Sequence, residues 1–238
     1  MKFSVLTLTY QRYQILEEAM MSYLYQDYTD ESEMVIVNDS SQVQYTFDDG
    51  TCESIFRGAG SGWTKKFRII NHPTRFSTIG EKLEFGYSQC QGTHTVRIDD
   101  DDLMMPYLLS NIQQMIQNNP GYDVYRPSQF FWFGDNIYCG KRDGINTGNV
   151  LSKEYLKKLT FPKKNADEDC DIVFSPGVNM LTEGIPWMIY RWGGGLTHIS
   201  TQLHLPNEER LNFVPEPETG TIELHPHFDR DYYGQIHD

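Results

Sequence analysis

The beginning of the chain constrains the fold more than any other part of it. Residues 3–10 and 34–37 are apolar and rich in β-branched side chains, as buried strands are. Between them, apolar side chains recur at helical spacing from Ile15 to Leu24. A strand, a helix and a strand within about 35 residues form a βαβ unit, which requires parallel strands and a right-handed crossover.

The same alternation continues up to a turn at residues 118–121. Residues 67–70 and 93–98 are predicted strands, and residues 80–90 and 108–116 carry apolar side chains on one helical face. Alternating strands and helices indicate an α/β fold with a mostly parallel central sheet flanked by helices.

The second half of the chain changes character. Residues 122–133 and 136–140 alternate and contain many aromatic side chains, with a hairpin turn predicted between them. Residues 169–174 begin a helix behind acidic residues, and residues 186–192 are a predicted strand. We therefore expect a small antiparallel sheet beside the central one. From Gly220 the tail has little core-forming pattern, and we expect it to wrap the surface.

Composition limits the class of protein. The 238 residues fit one domain, and the net charge of -13 argues against general nucleic-acid binding through phosphates. No apolar run approaches the roughly 20 residues of a membrane span, and no signal sequence is recognisable, so we expect a soluble, cytoplasmic protein. The four cysteines contain no C-x-x-C pair, which favours reduced thiols over a zinc site.

Four consecutive aspartates, residues 99–102, follow the strand at 93–98. Such a run is often only a solvated acidic turn. Here it lies at the carboxyl end of a buried strand and opens into a helix, which is where open α/β sheets bind ligands. Carboxylate oxygens suit Mg²⁺ or Mn²⁺, either of which would also hold a diphosphate. The sequence therefore predicts a metal and diphosphate site at this run.

Several stretches, in order, resemble family 2 glycosyltransferases. Residues 4–12 are similar to the opening strand and Thr-Tyr-Asn-Arg turn of that family, and residues 35–41 to the strand ending in Asp-Asp-Gly-Ser. Residues 80–102 resemble the segment that ends in Asp-x-Asp-Asp. Glu168-Asp169 resembles the acceptor-side Glu-Asp motif, and residues 190–198 resemble the terminal strand with its metal-binding histidine.

The resemblance implies a GT-A (Rossmann-like) fold and a single domain spanning residues 1–238. Residues 1–121 would form the nucleotide-sugar-binding half, with an irregular insertion at 42–66, and residues 122–200 the acceptor-side half. Residues 201–238 would be a C-terminal extension. Neither the insertion nor the region after residue 200 has a counterpart in the family pattern.

The resemblance also implies roles for the donor-side residues. The metal ligands would be Asp99, Asp101 and His198, with Asp102 supporting them through the backbone or a neighbouring group. The nucleotide and its diphosphate would contact Thr9, Tyr10, Arg12, Asp39, Lys82, Asp99, Asp100 and Arg191. A turn-capping role for Asp39 and a solvated charge for Lys82 or Arg191 are the structural alternatives. The cofactor would be Mn²⁺ or Mg²⁺, and the co-substrate a UDP-sugar by default.

On the acceptor side, Asp169 would be the general base of an inverting transfer, although a first-turn carboxylate of the helix is the structural alternative. Gly148 and Asn149 would approach the donor sugar and acceptor, together with Glu168 and Trp192. Trp63, Trp132, Trp187 and Trp192 are candidate sugar-stacking side chains, and core packing is the alternative for most of them.

Three positions depart from the family pattern: Asn38 replaces an aspartate, and Gln11 and Glu84 each replace an asparagine. These departures affect the identity of the donor more than the fold. The acceptor stays open between a soluble glycan, a protein, a small molecule and a modified nucleic-acid base. Two other functions compete with the transferase: a sugar-phosphate nucleotidyltransferase, and a catalytically silent nucleotide- or sugar-binding module.

Overall fold

The computed structural model describes residues 1–48, 65–144, 147–165, 167–193 and 219–236. The helices are α1 Tyr13–Leu24, α2 Ile79–Gln89, α3 Leu108–Asn118, α4 Lys153–Leu156 and α5 Glu168–Val173, and a 3-10 turn covers Tyr233–Gln235. The strands are β1 Phe3–Thr9, β2 Ser32–Asn38, β3 Val43–Thr46, β4 Lys65–Asn71, β5 His94–Arg97, β6 Leu103–Met104, β7 Val124–Pro127, β8 Gln129–Gly134, β9 Ile137–Asp143, β10 Val150–Ser152, β11 Met180–Glu183, β12 Met188–Trp192 and β13 Gly220–Glu223.

The central sheet has seven strands in the order β11-β7-β10-β5-β1-β2-β4. Its pairings are parallel except at β10, which runs antiparallel to both neighbours. This agrees with the mostly parallel sheet predicted from the strand and helix alternation. The carboxyl ends of β1, β2 and β5 consequently meet at one edge.

Helices cover both faces of this sheet because its strands alternate their side chains between two apolar layers. Val5 packs in the layer with α1 and α3, whereas Leu6 packs in the layer with α2 and α5. In α1, Leu16, Ala19, Met20 and Tyr23 form one buried stripe at helical spacing. Among the described residues, no helix has the length and apolar composition required to cross a bilayer.

A second sheet has the strand order β6-β12-β8-β9. The β8–β9 hairpin and the β12–β6 pair are antiparallel, as expected, but β12 runs parallel to β8. The sheet is therefore mixed, because β12 enters it from β11 of the central sheet by a crossover instead of a hairpin. One face of this sheet packs against the C-terminal segment, through Phe131, Phe133 and Tyr232.

Two expectations about irregular segments need correction. Within the predicted insertion, β3 is a regular strand that pairs in parallel with β13, while residues 49–64 lie outside the described residues. The C-terminal tail does cross the surface, but it also contributes to the core, since Leu224 and Tyr232 are buried. The local sequence of β3 and of the C-terminal tail does not predict these structures, because each segment pairs or packs with residues far away in the chain.

Candidate active site

The candidate site lies where β1, β2 and β5 end. Thr9 ends β1 and residues 10–12 follow it, Asp39 follows β2, and Asp99 to Asp102 follow β5. Thr7, near the end of β1, donates its hydroxyl to the Ile98 carbonyl at 2.8 Å, which ties β1 to the start of the aspartate run. The parallel register therefore brings together side chains that are nearly 90 residues apart in sequence.

Three of the four aspartates converge. Asp99, Asp101 and Asp102 each offer one oxygen, and these oxygens lie within 4.8 Å of one another. The backbone causes this convergence, because the Asp102 amide donates to the Asp99 carbonyl at 3.1 Å and closes a turn. An extended segment, as assumed from the spacing, would have placed Asp99 and Asp101 on one face and Asp102 on the other.

The electrostatics of this cluster favour a cation. Burial, followed by the charges of Asp101 and Asp99, raises the pKa of Asp102 well above its usual range. Burial also raises the pKa of Asp99, and Arg97 opposes that shift. Asp102 Oδ2 is buried and has no hydrogen-bond partner among the described residues. A divalent ion would relieve both the repulsion and this unsatisfied oxygen.

Asp100 points away from the other three towards Arg12. The Arg12 guanidinium pairs with both Asp100 oxygens and donates to Asp101 Oδ2 at 3.1 Å. Asp100 is fully buried, and this burial raises its pKa to about 6 although Arg12 acts in the opposite direction. Arg12 thereby connects the turn after β1 to the aspartate run.

Lys82 and Asp39 form a buried ion pair. Lys82 Nζ donates to Asp39 Oδ1 at 2.5 Å and to the Thr9 carbonyl at 2.6 Å. The other Asp39 oxygen accepts from the Phe76 amide at 3.1 Å. Burial lowers the pKa of Lys82, and Asp39 is the main group that counteracts this. The ammonium group predicted to contact phosphate is thus held by Asp39. The next residue after Thr9, Tyr10, has its ring centroid 4.1 Å from the Arg75 guanidinium.

Arg97 links the metal-binding side to the acceptor side, a role that our sequence analysis missed. Its Nε donates to Asp99 Oδ1 at 2.8 Å, and its Nη1 to Glu168 Oε1 at 3.2 Å. The signal in the sequence was an arginine in a buried strand immediately before the acidic run. Burial raises the pKa of Glu168, with Arg97 opposing the shift.

Asp169 lies in the first turn of α5. It lines a small cavity with Tyr87, Arg97 and Asn149, and its Oδ1 accepts the Cys170 amide at 2.9 Å. The predicted base and the arginine that contacts Asp99 therefore share one cavity. A carboxylate in this position can accept a proton from a hydroxyl group that enters the cavity.

The loop before β10 approaches the same region. Gly148 has φ +72°, and a Cβ there would overlap the sulfur of Met188. Its amide donates to the Arg97 carbonyl at 3.0 Å, and its carbonyl accepts from Trp187 Nε1 at 2.9 Å. These contacts explain the glycine, because another residue would require both a strained backbone and a displaced methionine.

Alternate residues of β12 face opposite ways. Arg191 is buried and pairs with Glu18 of α1, so its guanidinium binds a carboxylate of the protein and not the phosphate predicted from the sequence. Tyr190 and Trp192 lie on the other face, where the Trp132 ring stacks on both at centroid distances of 5.5 and 6.3 Å. Trp187 is buried in the core, which agrees with core packing, the alternative to sugar stacking for this residue. His198 and Trp63 lie outside the described residues, so their assigned roles stay predictions.

Comparison with known families agrees with this geometry. The family model described as Glycosyl transferase family 2 matches residues 4–182. The chain belongs to this family. A comparison with curated protein sequences found no significant match.

Solved structures of glycosyltransferases share the fold. The S. aureus TarS 1–349 complex with UDP-GlcNAc aligns with a TM-score of 0.63 and 17% identity, over 82% of this chain and 60% of that chain. The TarS 1–349 complex with UDP aligns with a TM-score of 0.58 and 19% identity, over 81% of this chain and 61% of that chain. A Pyrobaculum calidifontis mannosyltransferase in complex with GDP-Man and Mn²⁺ aligns with a TM-score of 0.54 and 18% identity, over 79% of this chain and 56% of that chain. The GT-A fold is therefore shown, and the chain spans about 60% of the length of TarS 1–349.

Proposed function

We propose that the protein is a metal-dependent, inverting glycosyltransferase that uses a nucleoside-diphosphate sugar, with UDP as the first nucleotide to test. The observation that carries this proposal is the convergence of Asp99, Asp101 and Asp102 at the carboxyl end of β5, with one buried oxygen lacking a hydrogen bond. These hard oxygen donors fit Mg²⁺ or Mn²⁺. When bound, the ion would neutralise charge on the leaving diphosphate.

The donor would lie along the ends of β1 and β2. Tyr10 and Asp39 border the place where a nucleoside would lie, and Arg12 joins this region to the aspartate run. Structures of similar fold support a nucleotide-sugar donor, because TarS was solved with UDP-GlcNAc and the mannosyltransferase with GDP-Man and Mn²⁺. These complexes make UDP and GDP the leading candidates.

The acceptor would enter beside Asp169. This carboxylate would take the proton from the acceptor hydroxyl as the hydroxyl attacks C1 of the sugar in one displacement, which inverts the configuration. Asn149 lines the same cavity, and Gly148 allows its backbone to approach closely. The stacked rings of Trp132, Tyr190 and Trp192 offer an apolar surface for a sugar ring on the acceptor-side sheet.

Isothermal titration of UDP, GDP, CDP and ADP, with and without Mn²⁺, tests the proposal. Wild-type protein should bind one nucleotide in a metal-dependent way, and Asp101→Asn should abolish that binding. Asp169→Asn should retain it, while transfer of the sugar to water or to a supplied alcohol, measured as release of the nucleotide from its sugar conjugate, falls by about 10²–10⁴-fold, as expected for loss of a general base.

Each contrary result has a definite meaning. If no nucleotide binds with any divalent ion, the aspartate run is a solvated turn and the transferase proposal is wrong. If the nucleotide binds but wild type releases none from any nucleotide-sugar, with water, glycans, proteins and small alcohols supplied as acceptors, the protein is a silent binding module.

A further inference from the structure

The C-terminal segment reaches the interior beside the candidate metal site. Its residue Tyr232 is only 2% exposed, and it packs against Phe133 of the second sheet. The same segment is fixed to α1, because the His225 amide donates to Glu17 at 2.7 Å and the Asp229 amide donates to Glu18 at 3.2 Å. A segment with no counterpart in the family pattern is therefore anchored close to the site.

Tyr232 belongs to a buried cluster with Glu18 and Arg191. The Tyr232 hydroxyl donates to Glu18 Oε2 at 3.0 Å and accepts from Arg191 Nη1 at 2.9 Å. Arg191 Nη1 also pairs directly with Glu18 Oε2. All three side chains are nearly inaccessible to solvent, so this cluster orients the guanidinium in a fixed direction.

Arg191 contacts two of the converging aspartates, Asp101 through its side chain and Asp102 through its backbone. Its Nε donates to the Asp101 carbonyl at 2.5 Å, and its backbone amide donates to Asp102 Oδ1 at 3.2 Å. The Asp102 carboxylate therefore has one oxygen held by Arg191, whereas the other, Oδ2, has no hydrogen-bond partner among the described residues. The first contact determines where the second oxygen points.

The surroundings argue that this cluster exists for positioning. Apolar side chains pack around Tyr232, for example Leu103, Phe133 and Ile189. A buried ion pair in such surroundings contributes little net stability compared with apolar residues of similar size. Its distinctive contribution is directional, because an apolar side chain at position 191 could not donate to the Asp101 carbonyl.

We propose that Tyr232 is a positioning residue for the metal-binding carboxylates, acting through Glu18 and Arg191. This inference rests on the proposed function and adds to it a role for the C-terminal segment. The hydroxyl of Tyr232 holds Glu18 and the Arg191 guanidinium in place. The guanidinium in turn holds the Asp101 carbonyl, which lies in the turn that brings Asp99, Asp101 and Asp102 together. Contacts outside the ligands typically contribute 10–100-fold to metal affinity, and Tyr232 acts at the lower end of that range because it is one contact further away.

Mn²⁺ titration followed by electron paramagnetic resonance tests this role, on the protein alone and with UDP. Tyr232→Phe should raise the Kd for Mn²⁺ about tenfold. The matched control is Tyr233→Phe, which also removes one hydroxyl from the tail, here one that donates to the Met104 carbonyl at 2.7 Å. The control should bind Mn²⁺ like wild type. Glu18→Gln, which retains an acceptor oxygen, should fall between wild type and Tyr232→Phe.

The outcomes separate this inference from the function on which it rests. If wild type binds Mn²⁺ and Tyr232→Phe matches Tyr233→Phe, the positioning role is wrong and the proposed function stands. A lower Tm of Tyr232→Phe with an unchanged Kd also overturns the role, because the hydroxyl would then only stabilise the fold. If wild type binds no Mn²⁺ in either condition, the proposed metal dependence fails, and this inference fails with it.

Discussion

Replacing Lys82 by methionine should destabilise the protein severely, because it isolates a buried charge. Lys82 and Asp39 are 7% and 4% exposed, and the ammonium group donates to both the Asp39 carboxylate and the Thr9 carbonyl. Methionine fills nearly the same volume without charge, so the effect is electrostatic. Removing one member of a buried pair costs about 3–5 kcal/mol. With a urea m-value of about 3 kcal/mol per M, the unfolding midpoint should fall by about 1–1.7 M.

A double-mutant cycle tests the reasoning. Adding Asp39→Asn to Lys82→Met removes the uncompensated carboxylate, so the double variant should be more stable than Lys82→Met alone. Urea unfolding followed by circular dichroism measures all four proteins. By the same m-value, a midpoint for Lys82→Met within about 0.3 M of wild type means a loss of stability below about 1 kcal/mol. That result would show that the ammonium group is not bound to Asp39 as described. Weaker UDP binding at an unchanged midpoint would instead favour the phosphate contact predicted from the sequence.

Two further predictions concern the aspartate run and the loop before β10. Burial raises the pKa of Asp102, and that of Asp100 to about 6, so their contribution to stability is complete at low pH and is lost as pH rises through these values. Without metal, the Tm of wild type should therefore fall between pH 5 and 8, and Mn²⁺ should restore it most at pH 8. Asp102→Asn should flatten the dependence of Tm on pH. A flat profile of Tm against pH for wild type would contradict this reasoning. Gly148→Ala should cost about 1–3 kcal/mol in urea unfolding. Gly144→Ala, whose Cβ would meet no described residue within 4 Å, should cost less, because it lacks the overlap with Met188; equal losses would show that this overlap is unimportant.

Local periodicity predicted four of the seven strands of the central sheet, β1, β2, β4 and β5, because each of them carries its own apolar pattern. The short strands β10 and β11 were not predicted, and β7 was assigned to the second sheet as part of residues 122–133. Local periodicity also located the aspartate run correctly at the end of β5, because a strand and its following loop are adjacent in sequence. The role of Asp102 required more, since its carboxylate joins the cluster only through the turn closed by the Asp99 carbonyl. Four consecutive identical residues carry no information about where the backbone turns.

Pairing between distant segments was beyond the sequence for a different reason. Strand β3 is short, and its register with β13 depends on residues about 180 positions later in the chain. Arg191 illustrates the same limit for a side chain. Its position in a strand shows that it faces opposite to Tyr190 and Trp192. Local sequence does not show which of the two faces borders the C-terminal segment, because that depends on Tyr232, 41 residues later in the chain.

The charges around the site explain why a metal ion would be required there. Among the described residues, four of the basic side chains around the site are matched by carboxylates of the protein itself: Arg12 by Asp100 and Asp101, Lys82 by Asp39, Arg97 by Asp99 and Glu168, and Arg191 by Glu18. A diphosphate that recruited one of these cations would leave a buried carboxylate uncompensated, at a cost of several kcal/mol. The chain as a whole is also acidic, with a net charge of -13, and would repel an anionic donor. A divalent ion bound by Asp99, Asp101 and Asp102 would add positive charge where these carboxylates converge, which is why nucleotide binding should depend on the metal.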